Sequence, residues 1–256
     1  MDIKNYTEIN SRTIDSWVEE GWEWGTPITH EEYEKAINGE WNVLLTPTKY
    51  VPKSWFPELK NKKLLGLACG GGQQMPIFSA LGACCTVLDY SDKQLANEKI
   101  VAEREKYDIE IVKADMAKEL PFADEVFDII FHPVSNCYIE NVYHVWNECF
   151  RVLKRGGVLM SGLDNGLNYL IDDDEILPLV IKNKLPFNPL KNKEHYELLV
   201  KEDCGMQFSH TMEEQIGGQL KAGFILRDIY EDYNNSGFLR EYVPTFIATL
   251  AIKIKG

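Results

Sequence analysis

The chain has 256 residues, 45% of them hydrophobic, which is enough for one sizeable core and requires no second domain. A formal net charge of −13 and the absence of any run of Lys and Arg exclude nucleic acid as the expected partner, because the average field repels a polyanion. There is no apolar stretch of the ~20 residues a membrane helix needs, no signal-peptide core and no Cys or His spacing suited to zinc, so a reduced, cytoplasmic protein without metal is expected.

The first sixty residues are mixed and aromatic, holding Trp17, Trp22, Trp24, Trp41 and Trp55. Within them Thr29-His30-Glu31-Glu32 forms a capping box for a short helix. Regular alternation then begins. Leu64 to Ala68 reads as a buried strand, followed by the turn Cys69-Gly70-Gly71-Gly72 and a helix from Gln73 to Leu81 that Gly82 stops. Cys84 to Leu88 is a second strand, after which Ser91, in a Ser-x-x-Gln box with Gln94, opens a long helix. Strands follow at Ile109 to Lys113 and Val126 to Phe131, then a helix over 141–153 with Val142, Trp146, Cys149 and Leu153 on its buried face. Arg155-Gly156-Gly157 turns into a fifth strand, Val158 to Leu163.

Apolar strands alternating with helices predict a doubly wound α/β sheet, parallel and covered on both faces. The end of the chain differs. A helix over 211–222 stops at Gly223, and the strands 224–231 and 245–253 are joined by a link of about a dozen residues with no helical pattern. Such a link favours an antiparallel hairpin. The whole reads as one domain: an N-terminal extension (1–60), a core (61–163), an insertion (164–208) carrying Asp172-Asp173-Asp174-Glu175, and the end of the core (209–256).

Ligands of such sheets gather at the carboxyl ends of the strands. The residues expected there are Ala68, Cys69, Gly70, Gly72, Gln73 and Gln74 after strand one, and Asp89, Tyr90 and Ser91 after strand two. Asp115 and Met116 follow strand three, and His132 and Val134 strand four. The glycines admit a ligand close to the backbone, and the helix beginning at Gln73 offers free N–H groups to an anion. Asp89, nineteen residues after Gly70, is spaced to accept from a ribose diol. A nucleotide ligand follows. Met75 stands where a dinucleotide fingerprint needs a third small residue, which argues against an NAD(P)-dependent oxidoreductase.

Leu64 to Gly72 resembles the first motif of the class I S-adenosylmethionine-dependent methyltransferases, usually an LDLGCGxG type of string, and the resemblance to their type 11 domain runs from about Leu64 to Leu163 and resumes from Thr211 to the end. Val112-Lys113-Ala114-Asp115-Met116 with Leu120-Pro121-Phe122, Phe127 to Phe131, and Phe150 to Gly157 are similar to later segments of that family. The resemblance implies a seven-stranded Rossmann-like sheet with a terminal hairpin, S-adenosyl-L-methionine as cofactor, and Asp115 near the adenine. Two positions depart from the family string: Gly66 replaces its acid and Ala68 its first loop glycine. The function expected is methyl transfer to a small-molecule acceptor, the alternative being a module that binds the cofactor without catalysis. His132, at the end of strand four, is the expected general base if one is needed, its other role being a hydrogen bond to the cofactor or loop; His210 and Glu213 are weaker candidates. The extension and the insertion are expected to close over the site.

Overall fold

The computed structural model describes residues 5–171 and 176–254; the acidic run 172–175 lies outside them. Seven strands form one sheet in the order β3-β2-β1-β4-β5-β7-β6. They are β1 (Lys63–Leu67), β2 (Cys84–Asp89), β3 (Glu110–Lys113), β4 (Phe127–His132), β5 (Leu153–Asp164), β6 (Ile225–Asp232) and β7 (Phe246–Ile252). The first five run parallel, and β7 inserts antiparallel between β5 and β6. The expected hairpin is present, and the change of direction at β7 closes the sheet without a further crossover helix.

Seven α-helices accompany the sheet: α1 (Tyr6–Glu19), α2 (His30–Ile37), α3 (Gln74–Ala80), α4 (Asp92–Glu105), α5 (Val142–Val152), α6 (Lys193–Glu202) and α7 (Met212–Ala222). Alternation along each strand divides the core in two. Leu64, Ile129 and Phe131 face a layer containing Phe78, Leu45 and Trp55, whereas Leu65 and Ile130 face α5 and α7 through Trp146, Val142 and Cys149.

The helix ends follow their local chemistry. Thr29 and Thr211 each form the reciprocal box with the Glu three residues on, and Gly223 takes a left-handed φ of 110° to end α7. The box expected at Ser91 is only half made. Its hydroxyl accepts from the Gln94 N–H at 3.1 Å, but the Gln94 amide turns away to the Trp24 carbonyl. The fifth strand begins earlier than expected, at Leu153, because Gly156, at φ 81°, and Gly157 are carried within the strand rather than in a turn before it.

Two helices have no counterpart in the sequence reading. In α1 the buried side chains are Asn10 and Thr13, so no apolar stripe marks it. In α6, which Asn192 caps, no residue is fully buried.

Candidate active site

A cavity of about 580 Å³ lies at the carboxyl ends of the parallel strands. Of the residues expected from sequence, Ala68, Cys69, Gly70, Gln73, Gln74, Asp89, Tyr90, Ser91, Asp115, Met116 and Val134 line it; Gly72 and His132 do not. The size and the mix of apolar and polar side chains suit a small organic ligand.

Asp89 ends β2 with its carboxylate folded back on the loops. One oxygen accepts from the Gly70 N–H at 3.0 Å, and the other from the N–H groups of Tyr90 and Ser91 at 2.8 and 3.0 Å. Burial pushes its carboxyl up, and those three N–H groups pull against that shift. Asp89 therefore fixes the β1 and β2 loops to each other while retaining acceptor capacity toward the cavity. Asp115 accepts from the Ala117 N–H at 2.9 Å and from the Thr7 hydroxyl at 2.9 Å. The departure at Gly66 has a steric cause. A Cβ there would stand 2.6 Å from the Met75 sulfur, so the side chain that breaks the dinucleotide fingerprint fills the space of the family acid.

Gly72 is turned inward. Its N–H donates to Glu98 at 2.7 Å and its carbonyl accepts from Ile28. His132 takes the second role expected of it, a hydrogen bond to the loop, and does not line the cavity. Its ring is fully buried, with Nδ1 2.9 Å from the Leu67 carbonyl and Nε2 2.9 Å from the Asn136 side chain. Burial lowers its pKa. Both faces of β4 are buried there, and the ring points into the α5 and α7 layer, 6.0 Å from Trp146, so it ties β4 to β1 instead of meeting a substrate. His210 is likewise buried, on the Asn136 carbonyl at 3.1 Å, and Glu213 is an exposed partner of Lys221.

The other walls come from outside the common core. From α1, Thr7, Asn10, Ser11 and Ile14 line the cavity, and Trp22, Trp24 and 44–47 continue that wall. Polar bonds hold α1 in place. Ser11 donates to the Tyr90 carbonyl at 2.8 Å, Asp15 accepts from the Ser91 hydroxyl at 2.5 Å, and Asn10 donates to the carbonyls of Tyr138 and Met206. The rest of the lining includes Asp164 at the end of β5, Tyr169, Phe187, His195 and Gln207, with Cys137 and Tyr138 after β4. Phe187 stacks between Tyr169, 5.7 Å away, and His195, 4.8 Å away. Asp164 ends β5 as Asp89 ends β2, so the same strand-end rule covers it. The polar face of α1 gave no such signal.

Comparison with known proteins agrees with this geometry. A methyltransferase-domain family model matches residues 65–161. A Bacillus subtilis protein described as the uncharacterized methyltransferase YbaJ is 42% identical over 250 residues, covering 96% of this chain and 97% of its own. The fold resembles that of an S-adenosylmethionine-dependent methyltransferase from Mesorhizobium loti, with a TM-score of 0.63 at 20% identity over 78% of this chain and 94% of the other. One from Methanosarcina mazei gives 0.56 at 14% identity, over 79% and 96%. A relative matched over nearly its whole length, with the sheet order and the strand-end cavity, decides the family and removes the dehydrogenase alternative. The chain belongs to the class I S-adenosylmethionine-dependent methyltransferases.

Proposed function

We propose that the protein methylates a small-molecule acceptor inside this cavity. The observation that carries the reading is that α1 with 22–47, and residues of 164–171 and 183–207, meet one another and both contribute walls to the cavity that the cofactor loops open into. Chain arranged this way acts as a lid, shutting out water and leaving no broad face for a macromolecule. The net charge of −13 supports the same choice against nucleic acid.

S-adenosylmethionine supplies a methyl group on a sulfonium, which is electrophilic without further activation. The residues suit that group: Asp89 would accept from the ribose hydroxyls and Asp115 from the exocyclic amine of adenine. Tyr90, Met116 and Val134 would supply apolar contacts, and the Gln74 amide would face the amino-acid end, since the Gln73 amide N–H groups are taken by the carbonyls of Glu23 and Thr26. The task left to the protein is alignment in a dry pocket. No proton-transfer step is assigned to His132.

The test is to incubate the protein with methyl-labelled S-adenosylmethionine and, separately, a metabolite extract and the macromolecular fraction of the same cells. Label is expected in the metabolites; label confined to protein or RNA would defeat the reading. A second result bears on the cofactor role of Asp89. Asp89→Asn replaces an acceptor oxygen by a donor facing Gly70 and the ribose, and should weaken S-adenosylhomocysteine binding by about 2 kcal/mol in calorimetry. An unchanged affinity in a folded variant would remove Asp89 from the site.

A further inference from the structure

We infer that the acceptor is an amine, recognised through its positive charge by Asp164 and an aromatic wall; this rests on the cavity being the acceptor site of a methyltransferase. Among the described residues lining the cavity are four carboxylates, Asp89, Asp115, Asp164 and Glu202, and no Lys or Arg. Asp89 and Asp115 belong to the loops after β2 and β3, on the cofactor side. Asp164, after β5, stands on the other.

Asp164 is 7% exposed and accepts from the Gly166 N–H at 2.5 Å and the Asn168 amide at 2.9 Å. No described cation forms an ion pair with it. Burial pushes its carboxyl up to about 6, which leaves it ionised at neutral pH. A buried carboxylate without a counter-charge is costly unless a cation arrives, and Asp164 lines the cavity from which one could come. The neighbouring wall is the stack of Tyr169, Phe187 and His195, and rings of this kind attract an ammonium group through their faces. The phenols of Tyr138 and Tyr169 and the thiol of Cys137 are all pushed up by burial, so none supplies a competing anion or a ready base.

The charge of the reaction fits this wall. An ammonium docks against Asp164 and releases one proton to water, so that Asp164 remains a carboxylate. The nitrogen lone pair then forms the new N–C bond as the methyl C–S bond breaks, and the bonding pair stays on sulfur, leaving a neutral thioether. Positive charge moves from sulfur to nitrogen, and a carboxylate beside the nitrogen stabilises the charge where it develops. A carboxylate or phenolate acceptor would instead bring an anion against Asp164 with no cation in the lining to receive it.

The experiment uses the full chain saturated with S-adenosylhomocysteine, titrated by calorimetry with 2-phenylethylamine, 2-phenylethanol and 3-phenylpropionate, which share one skeleton. The amine is expected to bind about 10-fold more tightly than the alcohol, and the carboxylate least. Asp164→Asn should remove the preference for the amine while keeping S-adenosylhomocysteine affinity within about 2-fold. Amine binding no tighter than that of the alcohol or the carboxylate overturns the inference. So does an Asp164→Asn variant that keeps the amine preference and loses affinity for S-adenosylmethionine relative to S-adenosylhomocysteine, because Asp164 would then serve the sulfonium. If that variant fails to fold, the three ligands on the unaltered protein decide. Failure here leaves methyl transfer to another small molecule standing, which the labelling experiment reads independently.

Discussion

Replacing Gly162 by alanine should destabilise the protein by about 3 kcal/mol or more, at the upper end of overpacking effects. A Cβ at this position in β5 would lie 1.9 Å from the Leu45 carbonyl oxygen and 3.0 Å from the Val134 nitrogen. Both are backbone atoms, and they are bonded to each other, since Val134 donates to Leu45 at 3.1 Å. Neither can swing aside as a side chain would. The segment around Leu45 must lift off the end of β5, taking with it Leu45 and Thr46, which line the cavity. Gly217→Ala, in α7, is the control: its nearest neighbour is the Glu213 Cγ at 3.5 Å, and alanine should stabilise the helix slightly. Denaturant midpoints of the two variants check the contrast. Equal midpoints would mean that the chain does not cross β5 at Gly162.

The second large effect is a pH dependence originating at Glu98. Its side chain is fully buried in α4, one oxygen accepting from Gly72 at 2.7 Å and the other without a partner among the described residues. Burial, with a smaller contribution from the Asp89 charge, pushes its carboxyl up to about 8. In the unfolded chain it titrates near 4.5. The folded state therefore holds a proton that the unfolded state has released, and the stabilisation from that proton is complete below about 4.5 and lost as pH rises through about 8. The unaltered protein should lose about 3 kcal/mol of unfolding free energy from Glu98 between pH 5 and 8.5. Glu98→Gln, which cannot ionise, should keep it. Urea unfolding of both proteins at several pH values gives the comparison, and parallel curves would show that Glu98 is not a proton reservoir.

The sheet was readable in the sequence because its strands are short apolar runs broken by glycine and helix caps. Thr29 marked its helix through a side chain that must satisfy free N–H groups, and Gly223 marked an end through its backbone. The short helix-free link before β7 gave the hairpin. Polar burial was what hid the rest. Asn10 and Thr13 are buried for their hydrogen bonds, so no hydrophobic period reveals α1. The α6 helix shows no fully buried face at all. At β4 both faces are buried, so alternation could place His132 at a strand end but could not say which way its ring turned. The pairing of Gly66 with Met75 looked like two separate departures until one was seen to occupy the space of the other.

The bonds that hold α1 also bear on the order in which the protein assembles. Asn10 bonds to Met206 across 196 residues of sequence and to Tyr138 across 128, and Thr13 bonds to Asp203 across 190. During synthesis the helix leaves the ribosome long before any of those partners exist. Fourteen residues of mixed composition hold little helix on their own, so the segment waits as unstructured chain while the sheet grows behind it. Its docking is a long-range closure, slow for entropic reasons. The α1 segment is thus made well before its distant partners, and the wall that it gives the cavity is completed only when residues 203–206 have followed.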